Sequence, residues 1–329
     1  MKIRFSHTIL AISVTFFSLN ACAVKTSIYN DFIEKMVSEH QFDRDKLSAL
    51  LNKSVVKESI LKAMSSPAEK RLEWHSYRKI FLKSNRINGG IKFWRENKKL
   101  LDAASKKYGI PAEIIVAIIG VETRYGGNTG SYKVLDSLTT LGFHFPKRAK
   151  FFKSELEHFL LLCREEGFDP YEQKGSYAGA MGKSQFISSS YRAYAVDGDG
   201  DSKRDLWNSH ADIIHSVANY FSKHHWSDSP LITQQTTVKG DAHKTLLNRT
   251  LKPINTLKQL SEQGVQVPSN IANSTIVRLL ELKQKEHSEF WLTFHNFYVI
   301  TRYNHSHLYA MAVSQLGQEI KKGFLKEHP

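Results

Sequence analysis

The chain has 329 residues, with 46 Lys and Arg against 32 Asp and Glu, a formal charge of +14. Apolar residues make up 41%, charged residues 24% and aromatics 11%, which excludes whole-chain disorder, collagen and coiled coil. Two cysteines exclude a disulfide-stapled scaffold. After the first twenty residues no apolar run approaches the ~18 residues that span a bilayer. At roughly 150 residues per domain, the length allows two domains and a large core.

Lys2 and Arg4 precede an apolar run from Ile9 to Leu19, and small residues follow at Ala21, Cys22 and Ala23. A basic start, a short apolar stretch and a small-residue exit read as a secretory signal peptide over residues 1–21. Leu19-Asn20-Ala21-Cys22 resembles the lipobox of bacterial lipoproteins. That resemblance implies cleavage before Cys22, a lipid on its thiol and a membrane anchor. Ala23 after the cysteine implies, by the same resemblance, a periplasmic protein held at the outer membrane. The plainer alternative is a cleaved signal followed by an incidental cysteine. Losing Lys2 and Arg4 takes the charge of +14 to +12. Cys163, inside the run Phe159-Leu160-Leu161-Leu162-Cys163, reads as a small core residue.

A basic exported protein suits anionic cell-wall polymer, lipid headgroups or nucleic acid. No zinc-finger spacing, aromatic RNP pattern or dense basic helix occurs, so nucleic acid is not expected as a partner. His224-His225 and His305-x-His307 lack the companions of a zinc site.

Helical spacing runs through residues 22–105: Tyr29, Phe32, Ile33 and Met36; Leu47, Leu50 and Leu51; then Trp74, Tyr77, Ile80 and Phe81. Asn88-Gly89-Gly90 is expected to break it. Residues 106–229 hold nearly all the motif-like sequence. Ser, Thr, Gln and Pro rise over residues 230–300, where Leu292–Ile300 is β-branched and aromatic enough for a strand or two. Residues 301–329 return to helical spacing. The fold expected is mainly α (α+β), with a small mixed insertion.

Between Pro111 and Gly126-Gly127 almost every position is apolar, which predicts a helix buried on most faces. Glu122 stands near its C-terminal end. Apolar surroundings and the negative end of the helix dipole both disfavour a charged carboxylate there. That is the requirement for a general acid, although a structural ion pair with Arg124 is the alternative. Downstream, Lys174–Phe186 packs glycine and alanine around Ser176, Ser184 and Gln185. Small residues let a ligand approach the backbone, and the polar ones can bond it. A plain glycine-rich turn would read the same way.

Together, Gly120-Val121-Glu122-Thr123-Arg124-Tyr125-Gly126 and Ala178-Gly179-Ala180-Met181-Gly182-x-x-Gln185-Phe186 resemble the lysozyme-like lytic murein transglycosylases of the B type. The resemblance extends through Leu135–Leu141, Phe143–Ala149, Ser190–Asp197, Ser216–Phe221 and Tyr303–Ala310. It implies a lysozyme-like core that cleaves the β-1,4 bond between N-acetylmuramic acid and N-acetylglucosamine in peptidoglycan without water. Glu122 would be acid and then base, and the muramoyl 6-hydroxyl would close a 1,6-anhydro ring. Lack of an obvious second carboxylate fits substrate assistance by the acetamido group. Arg148, Ser176, Gln185, Tyr303, Asn304 and Tyr309 are implied sugar contacts. No cofactor is expected for the chemistry. A water-using muramidase and a non-catalytic wall-binding lipoprotein are the rivals. A monomer is expected, with proteins of wall synthesis as candidate partners.

Asp197-Gly198-Asp199-Gly200-Asp201 places carboxylates at positions 1, 3 and 5 of a loop that resembles a calcium-binding EF-hand. Ser202 replaces the turn glycine at position 6, and Asn208 stands where the bidentate Glu belongs. The resemblance implies a structural Ca2+ held by Asp197, Asp199, Asp201, the Lys203 carbonyl and Asp212. A solvated Asp/Gly turn is the alternative.

Overall fold

The computed structural model describes residues 28–65, 72–247 and 250–327. The signal segment and Cys22 lie outside them. The chain opens with helices α1 (28–40), α2 (Arg44–Asn52), α3 (Glu58–Ser65), α4 (Trp74–Phe81), α5 (Ser84–Glu96) and α6 (Lys98–Tyr108). Asp43 starts α2 by accepting the Lys46 amide at 2.9 Å. These helices share the main core and do not enclose one of their own. Tyr29 and Phe32 meet the ring of Phe143 edge-on, at 4.7 and 6.1 Å.

The central helix α7 (Ala112–Thr123) is buried at ten of its residues because its sequence is apolar all round. The same core takes in α8 (Val134–His144), α9 (Ala149–Glu166), α10 (Ser188–Tyr194) and α11 (His210–Lys223), of which α11 packs against α7. The chain returns through α13 (His295–Tyr303) and α14 (His307–Glu327), and α14 packs along both α7 and α5.

Asn88-Gly89-Gly90 does not break the chain, because α5 runs through it. The glycines serve packing instead. A Cβ on Gly90 would lie 2.4 Å from Ile320 Cδ1 and 2.6 Å from the Tyr125 hydroxyl. Missing side chains let α5 approach α7 and α14, and that contact outweighs glycine's poor helix propensity.

Two short strands, β1 (Tyr132–Lys133) and β2 (Lys174–Gly175), pair antiparallel. The insertion holds a second antiparallel sheet in the order β3 (Thr233–Thr236), β6 (Ser288–Thr293), β5 (Ile276–Lys283), β4 (Asn255–Thr256), with the short helix α12 (Leu257–Glu262) beside it. Strand β5 is buried on both faces. Val277 and Leu279 enter the insertion's own core with Leu257, Leu260 and Leu292. Leu280 and Leu282 enter the main core. The expected strand over Leu292–Ile300 ends at Thr293, and the rest begins α13. There Phe297, Ile300 and Thr301 recur at helical spacing and are buried, so tertiary packing overrides β propensity. Among the described residues, no helix is long and apolar enough to cross a membrane.

Candidate active site

Glu122 is the penultimate residue of α7 and half-buried. Arg124 ends the helix in the left-handed conformation at φ 54°, and Tyr125 follows at φ 61°. The reversal is braced from α5. Arg86, 7% exposed, donates through Nη1 to the carbonyl of Gly120 at 2.6 Å and through Nη2 to that of Ile80 at 3.3 Å. Its charge opposes the negative end of the α7 dipole. The Tyr125 hydroxyl donates back to the Arg86 carbonyl at 2.8 Å.

The next residue ties this end to the glycine-rich segment. Thr123 Oγ1 donates to the Lys183 carbonyl at 2.8 Å and accepts the Gly126 amide at 3.0 Å. The segment is a tight double turn, in which the Ser176 amide donates to Ala180 O and Met181 and Phe186 exchange both backbone bonds. Gly182 takes φ +69°, and a Cβ there would lie 2.5 Å from the Leu206 carbonyl oxygen. Gln185, at φ 52°, donates its side-chain amide to the carbonyls of Thr129 (3.1 Å) and Gly182 (2.9 Å). Ser176 Oγ accepts the amides of Ala178 and Ala180 at 3.3 and 3.0 Å. Its acceptor function is therefore spent on holding the turn.

Tyrosines gather about the carboxylate. The Tyr309 hydroxyl donates to Glu122 Oε1 at 2.5 Å. Tyr303 donates to the Ser184 carbonyl at 2.6 Å and stands 4.8 Å from the ring of Tyr220. Burial first, and then the charge of Glu122, raise both phenols far above the ordinary range, so each remains a neutral donor. Tyr77, 1% exposed on α4, is close enough to Tyr309 to raise it further.

A cleft of ≈710 Å³ is lined by Arg148, Tyr177, Ala178, Asn304 and Ser306, among others. Arg148 is exposed and lies 4.2 Å over Phe151 and 5.1 Å over Phe152, which fixes its guanidinium. Asn304 joins α13 to α14 immediately after Tyr303. Of the expected site residues, Glu122 and Tyr309 are in direct contact. Tyr303 bonds the Ser184 carbonyl in the turn that carries Gln185, while Arg148 and Asn304 line a cleft.

Arg86, Thr123 and Tyr77 escaped the sequence reading. Arg86 and Tyr77 lie far from Glu122 in sequence; Tyr77 carried only a helical-spacing signal and Arg86 none. Thr123 stands inside the Gly120–Gly126 motif, but nothing there foretold its bond to Lys183.

In the acidic loop, carboxylate oxygens of Asp197, Asp199 and Asp212 lie within 4.8 Å of one another. Asp201 is not part of this group, and its Oδ1 accepts the Lys203 amide at 2.8 Å. Asp212, 1% exposed, accepts the amides of Gly198 and Asp205, each at 2.7 Å. Burial, with the charge of Asp199, raises its pKa above the usual carboxylate value. At Asp197 the Gly200 amide leads several backbone donors that lower it.

The fold is lysozyme-like, and this chain is an enzyme, a lytic transglycosylase that cleaves peptidoglycan. It belongs to the family described as the transglycosylase SLT domain, which it matches over residues 25–318. Membrane-bound lytic murein transglycosylase B of Escherichia coli (strain K12) is 41% identical over 298 residues, 88% of this chain and 81% of the relative. The catenated lytic transglycosylase SltB1 of Pseudomonas aeruginosa is 43% identical, superposes with a TM-score of 0.85, and covers 90% of this chain and 97% of its own. Escherichia coli Slt35, solved in complex with calcium, is 40% identical with a TM-score of 0.83, covering 91% of this chain and 94% of its own.

Proposed function

We propose that Glu122 carries the reaction as general acid and then base, on the β-1,4 bond between N-acetylmuramic acid and N-acetylglucosamine. The bond from Tyr309 to Glu122 supports this most directly, because it fixes the carboxyl group at the end of α7 from a buried donor. Protonated Glu122 gives its proton to the leaving glycosidic oxygen as the C1–O bond breaks. The substrate's acetamido oxygen stabilises the cation at C1. The muramoyl 6-hydroxyl then bonds to C1, and its proton passes to the Glu122 carboxylate, which restores the acid. Atoms balance without water, and the product ends in a 1,6-anhydro ring.

Arg148 and Asn304 are read as contacts for the glycan strand in the cleft, with Gln185, Tyr303 and the Ser176 turn nearer the scissile bond. The decisive variant is Glu122→Gln. Release of soluble muropeptides from purified sacculi should fall to background while co-sedimentation with sacculi persists. Undiminished release would overturn the assignment.

The acidic loop is read as a structural calcium site. Calcium prefers oxygen ligands at about 2.3–2.6 Å, and three carboxylates within 4.8 Å of one another can converge on such an ion. Asp197, Asp199 and Asp212 would hold it, with Lys203 offering a carbonyl. Its chemistry would be charge neutralisation that pins the N-terminus of α11, remote from proton transfer.

The lipid reading of Cys22 is kept as part of the proposal: a periplasmic enzyme anchored to the outer membrane. Detection of an acylated N-terminal peptide by mass spectrometry would test it.

A further inference from the structure

We propose that the face of the enzyme around the start of α1 docks on the anionic lipid surface into which the anchor inserts. The inference rests on lipidation of Cys22. Residues 23–27 alone separate that cysteine from Ile28, the first residue of the described helix. Six chain steps reach at most about 20 Å. A folded chain of this length is about 50 Å across, from a radius of gyration of roughly 19 Å. The tether is thus shorter than the enzyme is wide, and the start of α1 stays within about 20 Å of the bilayer.

The residues there suit that position. Ile28 is 40% exposed and Val55 46% exposed. Tyr29, the residue after Ile28, brings its hydroxyl 3.1 Å from Oγ of Ser54, the residue before Val55. Lys53 is exposed beside Ser54, and exposed Lys153 stands 4.6 Å over the Phe143 ring on which Tyr29 packs. Asp31 and Glu58 are the acids nearest Ile28 and Val55 in sequence, while Glu34 and Glu39, further along α1, pair with Arg44 and Lys35. Short apolar side chains flanked by lysines can enter the headgroup layer while the lysines meet lipid phosphates. The patch is rigid: Asp136 Oδ1 accepts the Val55 amide at 2.8 Å, and Thr140 Oγ1 accepts that of Lys57 at 3.1 Å. From it α3 leads to Met64 and Ser65 on the wall of the cleft, so docking would also fix the cleft's distance from the membrane.

The test uses the mature lipidated enzyme in phosphatidylglycerol-containing nanodiscs. Spin labels go on Ile28→Cys, Val55→Cys and, as a remote control, Lys244→Cys. Power saturation should show the first two shielded several-fold from a water-soluble nickel chelate, with the third fully accessible. Lys53→Glu combined with Lys153→Glu should expose both labels again while the lipid mass on Cys22 stays the same. Equal accessibility at all three positions, with the lipid present, would overturn the docking face. Absence of the lipid mass would instead remove the anchor reading beneath it.

Discussion

Tyr309 and Glu122 lie 187 positions apart in sequence, yet the phenol donates to the carboxylate at 2.5 Å. The contact exists because α14 returns across the molecule to pack along α7. Tyr309 is 2% exposed, so the donor is fixed in place before substrate arrives.

Replacing Tyr309 by Phe keeps the ring and removes the donor. Hydrogen bonds to charged groups contribute about 1.5–3 kcal/mol, so kcat should fall about 10- to 100-fold with little change in KM. Steady-state muropeptide release, with Tm as the check on folding, measures this. An unchanged kcat would mean that Glu122 needs no partner there.

Gly120→Ala sets helix propensity against packing. Alanine is favoured in a helix by about 1 kcal/mol. The added Cβ, however, would lie 2.5 Å from the Tyr125 hydroxyl and 2.7 Å from its Cζ. Displacing that ring strains its bond to Arg86, so a net loss of about 1–3 kcal/mol is expected in urea denaturation. Stabilisation would show that the α5–α7 contact is loose.

His307 makes stability depend on pH. Burial, then the charge of Arg278, push its pKa down from 6.5 to about 4. Between those values the unfolded chain binds a proton that the folded chain refuses. The contribution is therefore complete above pH 6.5, is lost progressively as pH falls, and levels off below about 4. Burial lowers His210, His215 and His224 in the same direction, so the enzyme should weaken on mild acidification. His307→Gln should flatten part of the slope of Tm against pH, and an unaltered slope would exclude His307 as a contributor.

Calcium should raise Tm by mass action, and chelation should reverse the rise. Asp199→Asn removes one charge from the group of Asp197, Asp199 and Asp212 and should shrink the rise. Asp201→Asn should leave most of it, because that side chain stands outside the group and caps the Lys203 amide. Equal losses in the two variants would return Asp201 to the ligand set.

Sequence made the Glu122 end of α7 legible as a buried helix terminus, because an apolar run with one late carboxylate is a local pattern. The Gly182 turn was legible for the same reason, since small residues at close spacing announce a crowded backbone. The part played by Gly89 and Gly90 was not, because a glycine that breaks a helix and one that admits a neighbouring helix read alike until the neighbour is present. Phe294–Ile300 misled through β-branched composition, where burial of one helical face decides the outcome. Arg86 and Tyr77 were invisible as site residues, because their meaning depends on where α4 and α5 settle against α7. Asp201 fitted the loop's alternation, but its carboxylate stands outside the group formed by Asp197, Asp199 and Asp212.

The most direct measurement is mass spectrometry of the products released from purified sacculi, with wild-type enzyme and Glu122→Gln side by side. The mechanism predicts 1,6-anhydromuramoyl ends from the wild type and none from the variant. Reducing muramoyl ends from the wild type would mean that water attacks C1. Anhydro ends persisting in Glu122→Gln would show that another group moves the proton.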